Sequence, residues 1–226
     1  MKAWDSLPAY MKNDAVRPYY DCLKKKKLSL VIKRLFDIAA SFFLLLVLSP
    51  GFAVIAFFIA LDSEGDIFFC QERITQYGRK FKILKFRTMV PDAERRGNLV
   101  TAGGDSRITR LGYKLRKYRL DELPQLINVF LGDMTFVGTR PEVTKYVKRY
   151  TPEMMATLLL PSGITSECSI KYKDEDQLLE AAKHAEEVYI RQILPRKMKY
   201  NLEEVKKFSL VRDLRTMIRT VMAVRG

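Results

Sequence analysis

The most pronounced pattern in the chain is one long apolar run near the N-terminus. Residues 35–61 carry a single charge, Asp37, and exceed the ~20 apolar residues that a helix needs to cross a bilayer core. A helix buried in a soluble core rarely stays apolar on all sides over so many turns, and no cleavage pattern typical of a signal peptide follows the run. The pattern therefore predicts a membrane-embedded helix.

A break near the middle of this run favours a re-entrant path, which enters and leaves the membrane on one side. Pro50 removes a backbone donor and disfavours helix at Ser49, and Gly51 loosens the next turn. Each arm around the break reaches only roughly 15–20 Å at ~1.5 Å per residue, short of the ~30 Å hydrocarbon core. Basic residues on both flanks also favour one cytoplasmic side. A spanning helix stays open, because spanning helices tolerate proline.

Shorter periodic runs follow the apolar segment and predict an α+β, mainly helical fold. Residues 66–74 and 80–86 alternate as strands do, and a turn at 76–78 would join them into a small β-hairpin. Apolar residues then recur at helical spacing over 108–118, and a second helix is expected to begin near Asp121.

Two further helices are expected toward the C-terminus. Asp174 is suited to cap a helix that Pro195 would stop. Residues 210–224 place their apolar side chains on one stripe with arginines off it, as interfacial amphipathic helices do. Packing of this stripe on the domain core is an equally good explanation from the sequence alone.

These patterns divide the chain into three parts. Residues 1–34 are polar and basic and are expected to form a surface arm whose lysines at 24–27 touch anionic lipid. Residues 35–61 form the membrane segment. Residues 62–226 form a compact cytoplasmic catalytic domain.

Composition narrows the choice of partner and compartment. The formal net charge of +14 favours an anionic partner: nucleic acid, anionic lipid or a phosphorylated substrate. No zinc-finger spacing or RNA-binding motif is present, so nucleic acid is not expected. Three widely spaced cysteines suggest neither disulfides nor a zinc site, which fits a reducing compartment. The single histidine, His184, is expected to be an ordinary surface residue.

The densest cluster of candidate chemistry surrounds two adjacent carboxylates, Asp121 and Glu122. An aspartate at a helix start is most often a cap, so the pair alone is a weak signal. Its context strengthens it, because a basic membrane-bound protein would need such a pair to handle a metal-bound diphosphate. The basic residues that form this context are Lys85, Arg87, Arg116 and Arg140.

Three motifs resemble those of the bacterial sugar transferase family, the monotopic phosphoglycosyl transferases. They are KFRTM at residues 85–89, LDELPQL at 120–126 and GDMTFVGTRP at 132–141. The resemblance covers about residues 33–226, in family order. The pair Ser49-Pro50 also matches, since family members are held by a re-entrant helix broken at Ser-Pro with both ends cytoplasmic.

The resemblance implies an enzyme that transfers a sugar phosphate from a UDP-sugar to a polyprenyl phosphate such as undecaprenyl phosphate, with release of UMP. Asp121 falls on the family nucleophile that forms a covalent phosphosugar intermediate, and Glu122 is its partner. Both carboxylates would bind Mg²⁺, which with fixed cations offsets the repulsion between two anions. Arg116 aligns with the phosphate-binding arginine of the family, while Lys85, Arg87 and Arg140 are expected to contact phosphate or nucleotide.

Departures from the family pattern lie after the acidic pair. Thr139 stands where the family commonly has proline, and Ser162 and Ser166 also differ from the common Pro-Gly-Ile-Thr-Gly motif. These changes leave the acidic pair intact, but sugar specificity cannot be carried over from the family.

The expected location is the cytoplasmic face of the bacterial inner membrane, at the first membrane step of a surface glycan pathway. The oligomeric state is open, with a dimer among the options. A second hypothesis is a non-catalytic membrane adaptor with a basic surface, which would leave the acidic pair unexplained.

Overall fold

The computed structural model describes residues 1–91, 93, 105–172 and 185–225, which form a mainly helical protein with two small sheets. The mainly helical α+β fold is thus confirmed. The helices are α1 (Arg17–Lys24), α2 (Lys27–Asp62), α3 (Arg110–Lys117), α4 (Gln125–Leu131), α5 (Thr144–Val147), α6 (Glu167–Lys171), α7 (Ala185–Val188), α8 (Leu194–Lys206) and α9 (Leu210–Arg225). The strands are β1 (Phe68–Ile74), β2 (Lys80–Phe86), β3 (Met134–Val137) and β4 (Ser162–Thr165).

Helix α2 is long and apolar enough to cross a membrane, and it continues through Pro50. The division into two helices expected at Ser49 and Pro50 is therefore not seen. Proline has no N–H, so the carbonyl of Leu46, four residues earlier, loses its helical partner. The Ser49 hydroxyl donates to that carbonyl at 2.8 Å. The helix persists because a side chain replaces the missing donor, and the re-entrant path stays a prediction.

The first third of α2 is fastened to the rest of the protein by polar contacts. The Arg34 guanidinium donates to the backbone carbonyls of Val129 at 2.6 Å and Phe130 at 2.8 Å, at the end of α4. Asp37 is buried and accepts a hydrogen bond from the Thr135 hydroxyl at 2.7 Å. The single charge of the apolar run is thus an attachment to β3.

Strands β1 and β2 form the expected antiparallel hairpin, with Phe68 opposite Phe86 and Ile74 opposite Lys80. The turn between them is Gln76–Gly78, in which Tyr77 has a left-handed backbone (φ 58°). Strand β2 leads from this turn to the KFRTM motif, so the hairpin delivers that motif to the interior.

A second sheet, which the sequence did not indicate, pairs β3 and β4 in parallel. Its strands are only four residues long, too short for a period-2 signal, and Met134 lies opposite Ser162. The chains approach closely beside it: a Cβ added to Gly163 would lie 2.1 Å from the backbone nitrogen of Gly138. The glycine at 163 is therefore required by backbone packing.

The N-terminal arm was expected at the surface, and that interpretation is wrong. Its apolar residues pack in one core cluster with residues of α8 and of the 3-10 turn Met154–Leu159. The arm also reaches the hairpin turn, where the Tyr10 hydroxyl donates to the Tyr77 carbonyl at 3.1 Å. Leu7 and Met11 lie at the ends of short 3-10 turns, whereas Val16, Tyr20 and Leu23 recur at helical spacing along α1, a short period that could have indicated the buried face. The buried set is Leu7, Met11, Val16, Tyr20 and Leu23.

Pro195 does not end a helix, contrary to expectation. It lies in the first turn of α8, directly after a wider π-helical turn at Tyr189–Ile193. A proline in the first turn breaks few helical hydrogen bonds, so the chain stays helical on both sides. Asp174 and His184 lie outside the described residues.

The last helix forms as expected and shows features of both explanations of its stripe. Thr216 is buried, and Met217 packs against the cluster around Val129 and Phe136. The outer part of the stripe stays open to solvent, with large apolar side chains at least half exposed. They are Val211, Leu214, Ile218, Val221 and Met222.

Candidate active site

The acidic pair lies in a short 3-10 turn, Leu120–Glu122, between α3 and α4. Helix α4 begins at Gln125, slightly later than expected, with Pro124 at its N-terminal boundary. Asp121 and Glu122 are 6% and 9% exposed, so both carboxyl groups face the protein interior rather than bulk water. Two buried carboxyl groups are costly unless something compensates their charge.

Glu122 is held by cations from two other elements. Its Oε1 accepts a hydrogen bond from Nζ of Lys85, at the end of β2, at 2.8 Å, and one from the guanidinium of Arg140, after β3, at 2.7 Å. Burial by itself would raise the pKa of Glu122, but Arg140 and Lys85 outweigh it and hold the pKa well below its ordinary value. Glu122 is therefore a fixed anion.

Asp121 has different surroundings. No hydrogen bond reaches its carboxyl oxygens from the described residues, and Nζ of Lys85 lies 4.0 Å from Oδ2. Burial raises the pKa of Asp121, and Glu122 adds to the rise, while Lys85, Arg116 and Arg119 oppose it. Its carboxylate is therefore weakly solvated and accepts no hydrogen bond from the described residues, as suits a nucleophile.

Arg116 lies on the side of Asp121. Its Nε donates to the hydroxyl of Thr88 at 3.0 Å, and its charge lowers the pKa of Asp121. Thr88 belongs to the KFRTM motif, so the hairpin and α3 together place this guanidinium. Lys85, Arg116 and Arg140 thus converge on the acidic pair, as the sequence predicted.

Arg87 contacts a different part of the molecule. One guanidinium nitrogen donates to the carbonyl of Ser63 at 2.5 Å and lies 3.4 Å from that of Ile59, at the C-terminal end of α2. Carbonyls at a helix C-terminus lack helical donors, so a cation is favoured there. The described contacts of Arg87 are with α2, and its role as a phosphate ligand stays a prediction.

The residues present fit Mg²⁺ only when substrate phosphates supply part of its ligands. The described residues contain no group of three or more histidine, cysteine, aspartate or glutamate side chains that could enclose a metal ion. Asp121 and Glu122 supply two carboxylates, and Glu122 has already committed Oε1 to Lys85 and Arg140. Mg²⁺ commonly binds through one or two carboxylates together with substrate phosphates and water, so the pair fits the ion in the presence of a diphosphate.

Two polar residues of α4 were missed by the sequence reasoning. Asn128 accepts from the backbone N–H of Leu84 at 3.0 Å and donates to the carbonyl of Lys82 at 2.9 Å, which ties α4 to β2. Gln125 is 1% exposed, and its Nε2 has no hydrogen-bond partner among the described residues. The sequence contained a signal for both residues, because each is an amide on the apolar, inward face of a short helix.

A third missed group supports the segment that carries Arg140. Glu142 is buried and accepts a hydrogen bond from the Tyr189 hydroxyl at 2.5 Å, with Nζ of Lys197 at 3.8 Å. The Arg73 guanidinium donates to the carbonyl of Pro141 at 3.2 Å. These contacts come from β1, the π-helical turn and α8, so sequence spacing could not indicate them.

The geometry can be compared with known proteins. The sequence profile of the family described as bacterial sugar transferase matches residues 28–226, which include every site residue described above. The chain belongs to the bacterial sugar transferase family. In this sugar transferase the matched range begins one residue after the start of α2, so the arm that packs on α8 precedes it.

Several proteins similar to this sugar transferase are named for the reaction that they catalyse. It is 32% identical over 196 residues to the UDP-N-acetylgalactosamine-undecaprenyl-phosphate N-acetylgalactosaminephosphotransferase of Aeromonas hydrophila, covering 85% of this chain and 43% of the relative. It is 33% identical to the undecaprenyl-phosphate glucose phosphotransferase of Komagataeibacter xylinus, covering 84% and 35%. It is 32% identical to the UDP-glucose:undecaprenyl-phosphate glucose-1-phosphate transferase of Caulobacter vibrioides, covering 84% and 68%. The chain thus spans less than half the length of the first two.

Proposed function

We propose that this sugar transferase moves a sugar 1-phosphate from a UDP-sugar to undecaprenyl phosphate and releases UMP. The observation that carries the proposal is the asymmetry of the acidic pair: Glu122 accepts hydrogen bonds from two cations, whereas the buried carboxylate of Asp121 accepts none from the described residues and has only Lys85 at 4.0 Å. The three relatives act on undecaprenyl phosphate by name, and two of those names include a UDP-sugar.

In the first half-reaction, a carboxylate oxygen of Asp121 attacks the β-phosphorus of the UDP-sugar. The new oxygen–phosphorus bond replaces the bond from that phosphorus to the bridging oxygen, and UMP leaves with the electron pair. In the second half-reaction, a phosphate oxygen of undecaprenyl phosphate attacks the same phosphorus and releases the Asp121 carboxylate. One difficult displacement is thereby split into two.

The remaining residues of the site offset charge. Lys85 and Arg140 hold Glu122 in place and add positive charge near the transferred phosphate, and Arg116 adds charge beside Asp121. Asp121 and Glu122 would hold Mg²⁺, which would supply further neutralisation of phosphate charge.

We place the protein on the cytoplasmic face of the bacterial inner membrane, with α2 following a re-entrant path. Basic residues on both flanks of α2 support a single side for its two ends. The exposed apolar stripe of α9 supports contact with the lipid surface. The glycan pathway we propose is that of a surface polysaccharide, in keeping with a relative named exopolysaccharide production protein in Rhizobium leguminosarum.

The experiment uses the full chain in detergent micelles with Mg²⁺, a panel of UDP-sugars and no acceptor. One equivalent of UMP should be released with the correct donor, and intact-protein mass spectrometry should show one added sugar phosphate on Asp121. Addition of undecaprenyl phosphate should remove the adduct. Asp66→Asn, which removes an exposed carboxylate, is the matched control for Asp121→Asn. Absence of UMP release across the panel, with retained binding to anionic liposomes, would favour the adaptor hypothesis.

A further inference from the structure

The basic residues near the acidic pair differ in what their side chains already contact. Lys85 and Arg140 donate to Glu122, and Arg116 donates to Thr88. Arg87 donates to carbonyls at the end of α2. Each of these four is at least partly committed to the protein itself, although phosphate binding needs donors that are available.

Arg119 is a fifth basic residue, immediately before the turn that holds the pair. Its side chain is exposed and has no hydrogen-bond or ion-pair partner among the described residues. The Arg119 carbonyl accepts a hydrogen bond from the backbone N–H of Glu122 at 3.3 Å, which ties this residue to the turn. Arg119 is therefore an available cation at the N-terminal end of the turn that carries the acidic pair.

The backbone of Arg119 is also unusual. Its φ is 56° and its ψ 21°, a left-handed conformation that non-glycine residues rarely adopt. Among the described residues, Tyr77 is the other non-glycine residue with positive φ. Strained backbone of this kind concentrates at functional sites, where the surrounding structure maintains it. Here it links the end of α3 to the turn that carries Asp121.

The neighbours of Arg119 indicate which phosphate it would meet. Tyr118 is 56% exposed and Leu120 is 37% exposed, so Arg119 is flanked in the chain by two large side chains that are open to solvent. A nucleotide sugar can stack its base on the Tyr118 ring, but it has no apolar chain to cover Leu120. A phosphorylated lipid carries both an anionic group and an apolar chain, which match the cation and the two apolar side chains.

We propose that Arg119 binds the phosphate of the polyprenyl phosphate acceptor, with Tyr118 and Leu120 against the first part of its hydrocarbon chain. This assignment rests on the proposed function, and it gives the acceptor its own cation, separate from those that hold Glu122. The donor diphosphate then uses Arg116 and the Lys85–Arg140 side of the site.

The variant for the test is Arg119→Asn, because asparagine tolerates left-handed backbone while it removes the charge. Arg119→Lys restores the charge. Lys114→Gln is the control, since it removes an exposed charge from α3. The thermal unfolding temperature of each variant should stay near that of the wild type, which separates a binding effect from a folding effect.

The two half-reactions separate the two phosphate sources. For Arg119→Asn, the UMP released in the first turnover without acceptor, and its dependence on UDP-sugar, should match the wild type at a pH well above the acid limb of Asp121. The KM for undecaprenyl phosphate should rise about 10- to 100-fold, the range for loss of a hydrogen bond to a charged group. Arg119→Lys should recover most of this loss, and Lys114→Gln should show none. A rise in the KM for the UDP-sugar alone, or no change in either KM, would overturn the proposal.

A direct binding measurement keeps this proposal separate from the proposed function. The full chain in nanodiscs should bind fluorescently labelled undecaprenyl phosphate more tightly than labelled undecaprenol, and Arg119→Asn should remove that difference. If wild-type protein binds in this manner but releases no UMP with any donor, the proposed function fails and the lipid-phosphate site stands. If Arg119→Asn retains the full preference for the phosphate, the site is wrong.

Discussion

The two carboxyl groups of the acidic pair are neighbours in the chain but have opposite surroundings. Glu122 shares one oxygen with Lys85 and Arg140, which hold its pKa well below its ordinary value. Asp121 receives no hydrogen bond from the described residues, and burial raises its pKa. The difference separates two tasks: one carboxylate organises the site, and the other keeps its electrons available for reaction.

The most damaging change should be Asp121→Asn. An amide cannot form the acyl phosphate, so UMP release should fall at least ~10³-fold and the sugar-phosphate adduct should disappear. The assay is UMP release in the first turnover, compared with Asp66→Asn. Retention of more than a tenth of wild-type activity would contradict Asp121 as the nucleophile.

For the free energy of unfolding, in contrast to activity, the change at Glu122 should have a larger effect than the change at Asp121. Glu122→Gln leaves Lys85 and Arg140 facing each other without the buried anion between them, and should lower the free energy of unfolding by about 1–3 kcal/mol. Asp121→Asn removes a buried carboxyl group without hydrogen bonds, so it should leave stability unchanged or slightly raised. Thermal unfolding in detergent measures both variants, and an equal loss in the two would erase the contrast.

The pH dependence of the first half-reaction should report the ionisation of Asp121. Asp121 must be ionised to attack, and its pKa lies above the ordinary value of 3.8 in the free enzyme. UMP release should therefore fall as the pH drops toward that raised pKa, at higher pH than an ordinary aspartate would require. Because Lys85 lowers the pKa of Asp121, Lys85→Gln should move this acid limb to still higher pH. A limb that stays at the same pH in Lys85→Gln would contradict this coupling.

The smallest loss of activity should come from removing the Thr88 hydroxyl, which accepts a hydrogen bond from Arg116. Thr88→Val keeps the side-chain shape and removes the hydroxyl that accepts from Arg116 at 3.0 Å. Loss of one such bond should lower kcat/KM for the UDP-sugar by about 2- to 10-fold. Thr88→Ser keeps a hydroxyl and should stay near the wild-type value; equal loss in both variants would indicate that packing, not the hydrogen bond, matters.

Local sequence patterns predicted several elements of the fold and the position of the candidate site. The apolar helix, the β-hairpin, the last amphipathic helix and the position of the acidic pair all follow from periodicity or from short motifs. Lys85 and Arg140 were identified as site residues, but their shared contact with Glu122 depends on the ends of two strands meeting. Motif resemblance pointed to these residues, and only the fold shows how they divide between the two carboxylates.

Features that depend on contacts between distant segments escaped the sequence. The β3–β4 pair joins two four-residue strands across a long stretch of chain, and the N-terminal arm packs on α8. Arg87 belongs to the KFRTM motif, but its guanidinium donates to the carbonyl of Ser63 at the end of α2, where carbonyls lack helical donors. The continuity of α2 through Pro50 depends on the rotamer of the Ser49 side chain, which composition does not reveal.

The contacts that fasten α2 have a mechanical consequence. Arg34 donates to the end of α4, and Asp37 accepts from β3, and the two residues lie within one turn of the same helix. Helix α4 begins only a few residues after the acidic pair, so the anchor and the reacting carboxylates form one stiff unit. In the proposed membrane placement, the depth of α2 in the lipid would therefore set the distance of Asp121 from the bilayer surface, so α2 would position the site as well as attach it.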